Sequence, residues 1–160
     1  MSSDINIQRA KDHDNLTETE KKHIPFIEAP SEVKAGEPFD VKVTVGAIPH
    51  VMEEEHYIKW IELHLNGTLV GRKELQASEG KAEATFTAVG TEEMITAREI
   101  RNCTIHGFGV CGTCGTKSAI VNLKAVESCN VHGLWEDSKG IEIISSVVKD
   151  GKKCTWGSQL

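Results

Sequence analysis

A thiolate and an imidazole stand three residues apart in Cys129-Asn130-Val131-His132-Gly133-Leu134-Trp135. At that spacing they can clip one transition metal, and imidazole serves iron as well as zinc. Two ligands do not close a site, so partners must come from elsewhere in the chain. Three upstream histidines have distinctive surroundings: His23 in Lys22-His23-Ile24-Pro25, and His50 and His56 in Pro49-His50-Val51-Met52-Glu53-Glu54-Glu55-His56. Together these residues offer four imidazoles and one thiolate. The remaining four of the five cysteines are Cys103, Cys111 and Cys114 in a glycine-rich stretch, and Cys154 near the end. Four thiolates can hold a tetrahedral zinc or an iron-sulfur cluster; a disulfide between Cys111 and Cys114 is a third reading.

The ordered set Lys-His-Ile-Pro, then Pro-His with a second His six residues on, then Cys-Asn-Val-His-Gly-Leu-Trp, resembles the superoxide reductases of the neelaredoxin and desulfoferrodoxin type over residues 20–144. The resemblance implies a mononuclear non-haem iron with His23, His50, His56 and His132 in an equatorial plane and Cys129 on the axis. It also implies one-electron reduction of superoxide to hydrogen peroxide at an open sixth position, with reduction and not dismutation as the outcome. In the family a Glu two residues before the first His can occupy that position, with a Lys between them. Here Lys22 matches the Lys, while position 21 is Lys and the acid is one residue further away, at Glu20. Cys103-Thr104-Ile105-His106-Gly107 repeats the Cys-x-x-His-Gly spacing but lacks the Asn and the Trp, so Cys129 and His132 are assigned to iron and His106 to the loop.

The cysteine-rich insertion resembles methanoferrodoxin, the branch found in methanogens, which carries a [4Fe-4S] cluster beside the iron. On that likeness Cys103, Cys111, Cys114 and Cys154 bind a cluster that returns electrons to the iron; the alternative is structural zinc. The substrate is then superoxide, the donor an unidentified electron-transfer protein, and the resemblance leans to a homo-oligomer such as a tetramer. Two other functions compete: an electron-transfer iron protein without a superoxide substrate, and a metal-binding domain with zinc on the cysteines.

The chain that must position these groups has 160 residues, the length of one domain. Its formal net charge of -6 argues against nucleic acid as a partner. No apolar run is long enough to span a membrane and no apolar leader opens the chain, so a cytoplasmic protein is expected. Residues 1–19, mostly polar with only scattered apolar residues, read as a flexible N-terminal arm, and 20–160 as the domain, including a Cys-rich loop 103–115 and a tail 149–160.

Period-two alternation marks strands at 38–47, 57–65, 82–88, 117–126 and 141–148, and more weakly at 94–101. Between 57 and 65 the apolar phase slips near Trp60 and Ile61, the sign of a bulge, and His64 falls in the outward phase. Asn66-Gly67 predicts a hairpin turn with a return strand over 68–75. About seven short strands with almost no helical periodicity predict an all-β, immunoglobulin-like sandwich, with a second metal site formed by the cysteine-rich loop and tail. The histidine motifs then fall where strands meet loops.

Overall fold

The structure, a computed structural model, describes residues 7–98 and 118–146. Within them lie β1 (Pro25–Glu28), β2 (Glu32–Lys34), β3 (Pro38–Val45), β4 (Ile58–Leu65), β5 (Thr68–Glu74), β6 (Glu83–Val89), β7 (Ser118–Cys129) and β8 (Gly133–Ile144), with two short helices, α1 (Glu18–His23) and α2 (Glu92–Arg98). The strands form two sheets, one ordered β1-β3-β6 and the other β2-β8-β7-β4-β5. This is the all-β class that the alternation predicts. No described helix is long and apolar enough to cross a membrane.

Alternation translates directly into burial. In β3 the residues Phe39, Val41, Val43 and Val45 point inward and their neighbours outward. In β4 the buried residues are Ile58, then Ile61, Leu63 and Leu65; the phase slips because pairing with β7 jumps from Ile58↔Cys129 to Trp60↔Ser128. Each fully buried Ile or Leu contributes about 1.5–3 kcal/mol, which strongly disfavours a register shifted by one residue. The turn after β4 has positive φ at both central residues, Asn66 (52°) and Gly67 (83°), so its twist matches the two strands it joins.

Three expectations change. Residues 92–98 are helical, not the start of a strand, because Thr91 accepts the Met94 amide at 3.3 Å and opens a helix with Glu92 and Glu93 in its first turn. The strand sought over 141–148 begins much earlier, at Gly133, and its polar first half hides the alternation. The short strands β1 and β2 were not expected. The four candidate cluster cysteines, His106, the loop 103–115 and the tail 149–160 lie outside the described residues.

The chain divides into two compact units: Met1–Ala29, Asp40–Thr87 and Asn122–Lys139 form one, and Pro30–Phe39, Ala88–Val121 and Gly140–Leu160 the other. The first holds His23, His50, His56, Cys129 and His132. In the second, a Cβ on Gly90 would lie 2.6 Å from Ile143 Cδ1, and the Glu92 carboxylate accepts Ser145 Oγ at 2.6 Å and the Ser146 amide at 2.8 Å.

Candidate metal centre

His23 is the last residue of α1, and the chain dictates that it be so. Thr17 caps the helix start and accepts the Glu20 amide, while Ile24, preceding Pro25, is held extended at φ -63°, ψ 122° and stops the helix. His50 and His56 lie on the segment between β3 and β4, and His56 is presented by a tight turn in which Glu53 and His56 exchange backbone hydrogen bonds of 3.0 Å. Cys129 ends β7, and His132 is in the turn before β8.

Four ligating atoms, one each from His23, His56, Cys129 and His132, lie within 4.8 Å of one another. His50 joins them: its Nε2 is 3.1 Å from His23 Nε2 and 3.6 Å from Cys129 Sγ. On the far side His132 Nδ1 is 3.2 Å from His56 Nε2 and 3.8 Å from the same sulfur. The four rings close a near-square. Neighbouring centroids are 4.7 Å apart for His23–His50, His50–His56 and His23–His132, and 4.9 Å for His56–His132, while the His23–His56 diagonal is 6.2 Å.

The donor set passes a chemical test for a metal. His23 Nδ1–H donates to Thr19 O at 2.7 Å and His50 Nδ1–H to Val51 O at 2.6 Å, which fixes both tautomers and leaves both Nε2 atoms with bare lone pairs. Two such lone pairs 3.1 Å apart repel each other unless a cation lies between them. A proton is a poor candidate, since burial lowers the pKa of His23 and His56 and pushes that of His50 down to about 4. Three Nε2 atoms, one Nδ1 and a sulfur converging in this way suit a transition metal of the iron or zinc kind.

The remaining letters of Cys129-Asn130-Val131-His132-Gly133-Leu134-Trp135 acquire roles that spacing could not give them. Asn130 Oδ1 accepts the Tyr57 amide at 2.9 Å and its Nδ2 donates to Glu55 O at 3.1 Å, so one amide side chain grips the backbone on both sides of His56. The Val131 and His132 amides donate to the Cys129 sulfur, opposing the burial that pushes this thiol up. Gly133 needs its positive φ of 83° to turn the chain back into β8. The Trp135 indole is buried, stacks on His23 with centroids 5.0 Å apart, and donates from Nε1 to His132 O at 3.2 Å.

Glu127 was also missed. It is fully buried, two residues before Cys129, and neither carboxyl oxygen has a hydrogen-bond partner among the described residues. Burial pushes its pKa up to about 9, so at neutral pH a neutral carboxylic acid sits beside the thiol. A second negative charge there would oppose a thiolate. The sequence signal was an acid in the inward phase of Leu123, Ala125 and Cys129.

Glu20 is engaged elsewhere. Its carboxylate accepts the Thr17 amide at 2.9 Å and the Lys11 amide at 3.4 Å, and the Thr17 bond holds its pKa below the usual carboxylate range. The acid completes a capping box at the start of α1 and is not among the grouped ligand atoms. Lys22 is exposed and lines a cavity of about 270 Å³ with Glu18, His23, His50, His56 and His132, and its charge bears on both His23 and His56. Lys21 pairs with Glu18 at 3.6 Å, and Lys59 acts on the Cys129 thiol instead. His64 is half-buried and bonded to Glu62, apart from the ring.

A profile of the desulfoferrodoxin family matches residues 15–111. The chain belongs to that family. The matched stretch contains His23, His50 and His56; Cys129 and His132 lie beyond it and join the site by geometry. A superoxide reductase from Pyrococcus furiosus is 33% identical over 123 residues, covering 76% of this chain and 90% of that protein. Among solved structures, the superoxide reductase (neelaredoxin) of Ignicoccus hospitalis shares 32% identity with a TM-score of 0.54, covering 76% of this chain and 80% of that one. The reduced neelaredoxin of Archaeoglobus fulgidus shares 27% with a TM-score of 0.52, covering 84% and 97%. The family carries the mononuclear iron reading over to the His and Cys group.

Proposed function

We propose that this oxidoreductase is a superoxide reductase whose His23, His50, His56, His132 and Cys129 hold one iron. The observation that carries the reading is the pair of bare Nε2 atoms of His23 and His50 facing each other above a buried thiol, in a chain of this family. Iron bound there supplies one electron to superoxide, which takes up two protons and leaves as hydrogen peroxide. The protein's own part is preparation. Carbonyls of Thr19 and Val51 hold two imidazoles in the ligating tautomer, two backbone amides steady the Cys129 sulfur, and a neutral Glu127 avoids charge repulsion behind it.

Superoxide is an anion approaching a protein of net charge -6, so attraction has to be local. Lys22 supplies it. Lys22→Ala is expected to lower the second-order rate with superoxide by about 10-fold at low salt and to flatten its dependence on ionic strength, because the lost interaction is long-range and screened. Pulse radiolysis at two ionic strengths reads both effects; an unchanged rate removes Lys22 from the steering role.

In the same reading Cys103, Cys111, Cys114 and Cys154 bind a [4Fe-4S] cluster that passes electrons from a donor protein to the iron. The count of cysteines left after Cys129 supports it, together with the clustering of Cys103, Cys111 and Cys114 among glycines that let backbone wrap a cofactor. Anaerobically purified protein should then contain acid-labile sulfide and more than one iron per chain, and Cys154→Ser should lose the sulfide while keeping the single iron. Zinc without sulfide would overturn the cluster.

A further inference from the structure

The segment preceding α1, expected as part of a flexible arm over 1–19, is tied to the ligand-bearing chain from Gln8 onward. Gln8 forms a parallel bridge with Trp135: its amide donates to Leu134 O at 2.9 Å and its carbonyl accepts the Glu136 amide at 2.9 Å. Its side chain reaches further, with Nε2 donating to His132 O at 2.7 Å and lying 3.4 Å from Leu134 O. The His132 carbonyl thus takes two side-chain donors, Gln8 Nε2 and Trp135 Nε1, from opposite directions in sequence. Next, Arg9 Nη2 pairs at 3.0 Å with the buried Glu136, and the Lys11 amide donates to Glu20 Oε2 at 3.4 Å. Four residues therefore run from the turn holding His132 to the helix ending in His23.

We propose that residues 8–11 are a strap that holds these two ligand-bearing elements together, with Gln8 as the positioning residue for His132. His132 is the ligand that needs one. It is exposed, unlike His23 and His50, its liganding atom is Nδ1, close to the backbone, and small rotations of the turn carry that nitrogen away from His56 and Cys129. Fixing its carbonyl fixes the peptide from which the ring projects. Gln8 precedes the stretch 15–111 matched by the family profile, so the contact rests on this chain's geometry and not on the family match. The inference rests on the metal-site reading, but not on superoxide as substrate.

The test uses full-length protein stripped of metal and titrated anaerobically with Co²⁺. The part of the thiolate charge-transfer absorption that Cys129→Ser removes reports Co²⁺ at Cys129, apart from any held by the other four cysteines, and it is this Co²⁺ whose release is followed. Gln8→Glu keeps the size of the side chain and replaces the donor by a carboxylate that faces a carbonyl. It is expected to release Co²⁺ to a competing chelator about 10-fold faster, the scale on which outer partners of metal ligands act. Gln8→Ala should do the same. His13→Ala, which removes an exposed 3.1 Å contact to Asp137 on the same arm, should release Co²⁺ at the unaltered rate. Equal release by Gln8→Glu and the unaltered chain overturns the strap, as does an equal loss in His13→Ala. No band that Cys129→Ser removes from the unaltered chain overturns the metal reading beneath it.

Discussion

Cys129→Ser should leave a folded chain that still binds iron through imidazoles but has lost the thiolate-to-iron absorption and nearly all reaction with superoxide. The closed square of His23, His50, His56 and His132 does not depend on the sulfur, because carbonyls fix two of its members and Asn130 grips a third. The substituted oxygen matches the buried setting, since the Val131 and His132 amides can donate to it as they do to sulfur. What disappears is the soft, electron-rich donor that pushes density onto the metal. Partners one shell further out already cost about 10–100-fold, and a direct ligand should exceed that. Absorption spectra and pulse radiolysis on the iron-loaded variant decide the matter. A retained charge-transfer band, or a rate close to that of the unaltered chain, would remove the sulfur from the reacting set.

Gly46→Ala should be among the most damaging single-methyl changes available in this chain. Gly46 has φ of 85°, and a Cβ there would lie 2.5 Å from Ile48 O and 2.6 Å from Lys22 O. Both are backbone atoms, so no side chain can swing away. The same crossing is held by Gly46 N–H to Ile24 O at 3.0 Å and Ile48 N–H to Lys21 O at 3.1 Å, which join the end of α1 to the segment leading to His50. Backbone strain of this kind costs about 1–3 kcal/mol before any displacement is counted. A loss of about 3 kcal/mol or more is expected, which for a chain of this size lowers Tm by about 6–12 °C. Metal affinity should fall with it, because His23 and His50 flank the crossing. Gly80→Ala is the control: its φ is 73° but nothing lies within 4 Å of the added methyl, so it should cost only about 1 kcal/mol. Thermal melts of the metal-free variants separate the two, and equal costs would mean that the close approach is not a constraint.

Much of the site was written locally. A Cys and a His three residues apart, a His before Ile-Pro and two more around an acidic turn are the motifs on which the family resemblance rests, and the fold brings all five side chains together. The same is true of the strands whose apolar residues alternate without interruption, of the slip in β4 that becomes a bulge at Ile58 and Trp60, and of the Asn66-Gly67 turn. Such features depend on neighbours in sequence, and neighbours in sequence are visible. The short helix at Glu92–Arg98 was misread because its seven residues are too few to show a period, and its cap, Thr91, is a common loop residue.

What spacing could not decide is which atom of each ligand faces inward and what holds it there. Thr19 and Val51 carbonyls set the tautomers of His23 and His50, Asn130 holds His56 across 73 and 75 residues of sequence, and Gln8 reaches His132 across 124. The resemblance pointed to Glu20 as the family's acid, one residue out of place, and in the fold its carboxylate accepts the Thr17 amide at the start of α1. Glu127 looked like any strand carboxylate, yet on β7 it is fully buried with no hydrogen-bond partner among the described residues. Residue type and local spacing determined what these side chains are able to do. Their partners, and hence their protonation and orientation, come from residues far away in the chain, and only the folded packing brings those together.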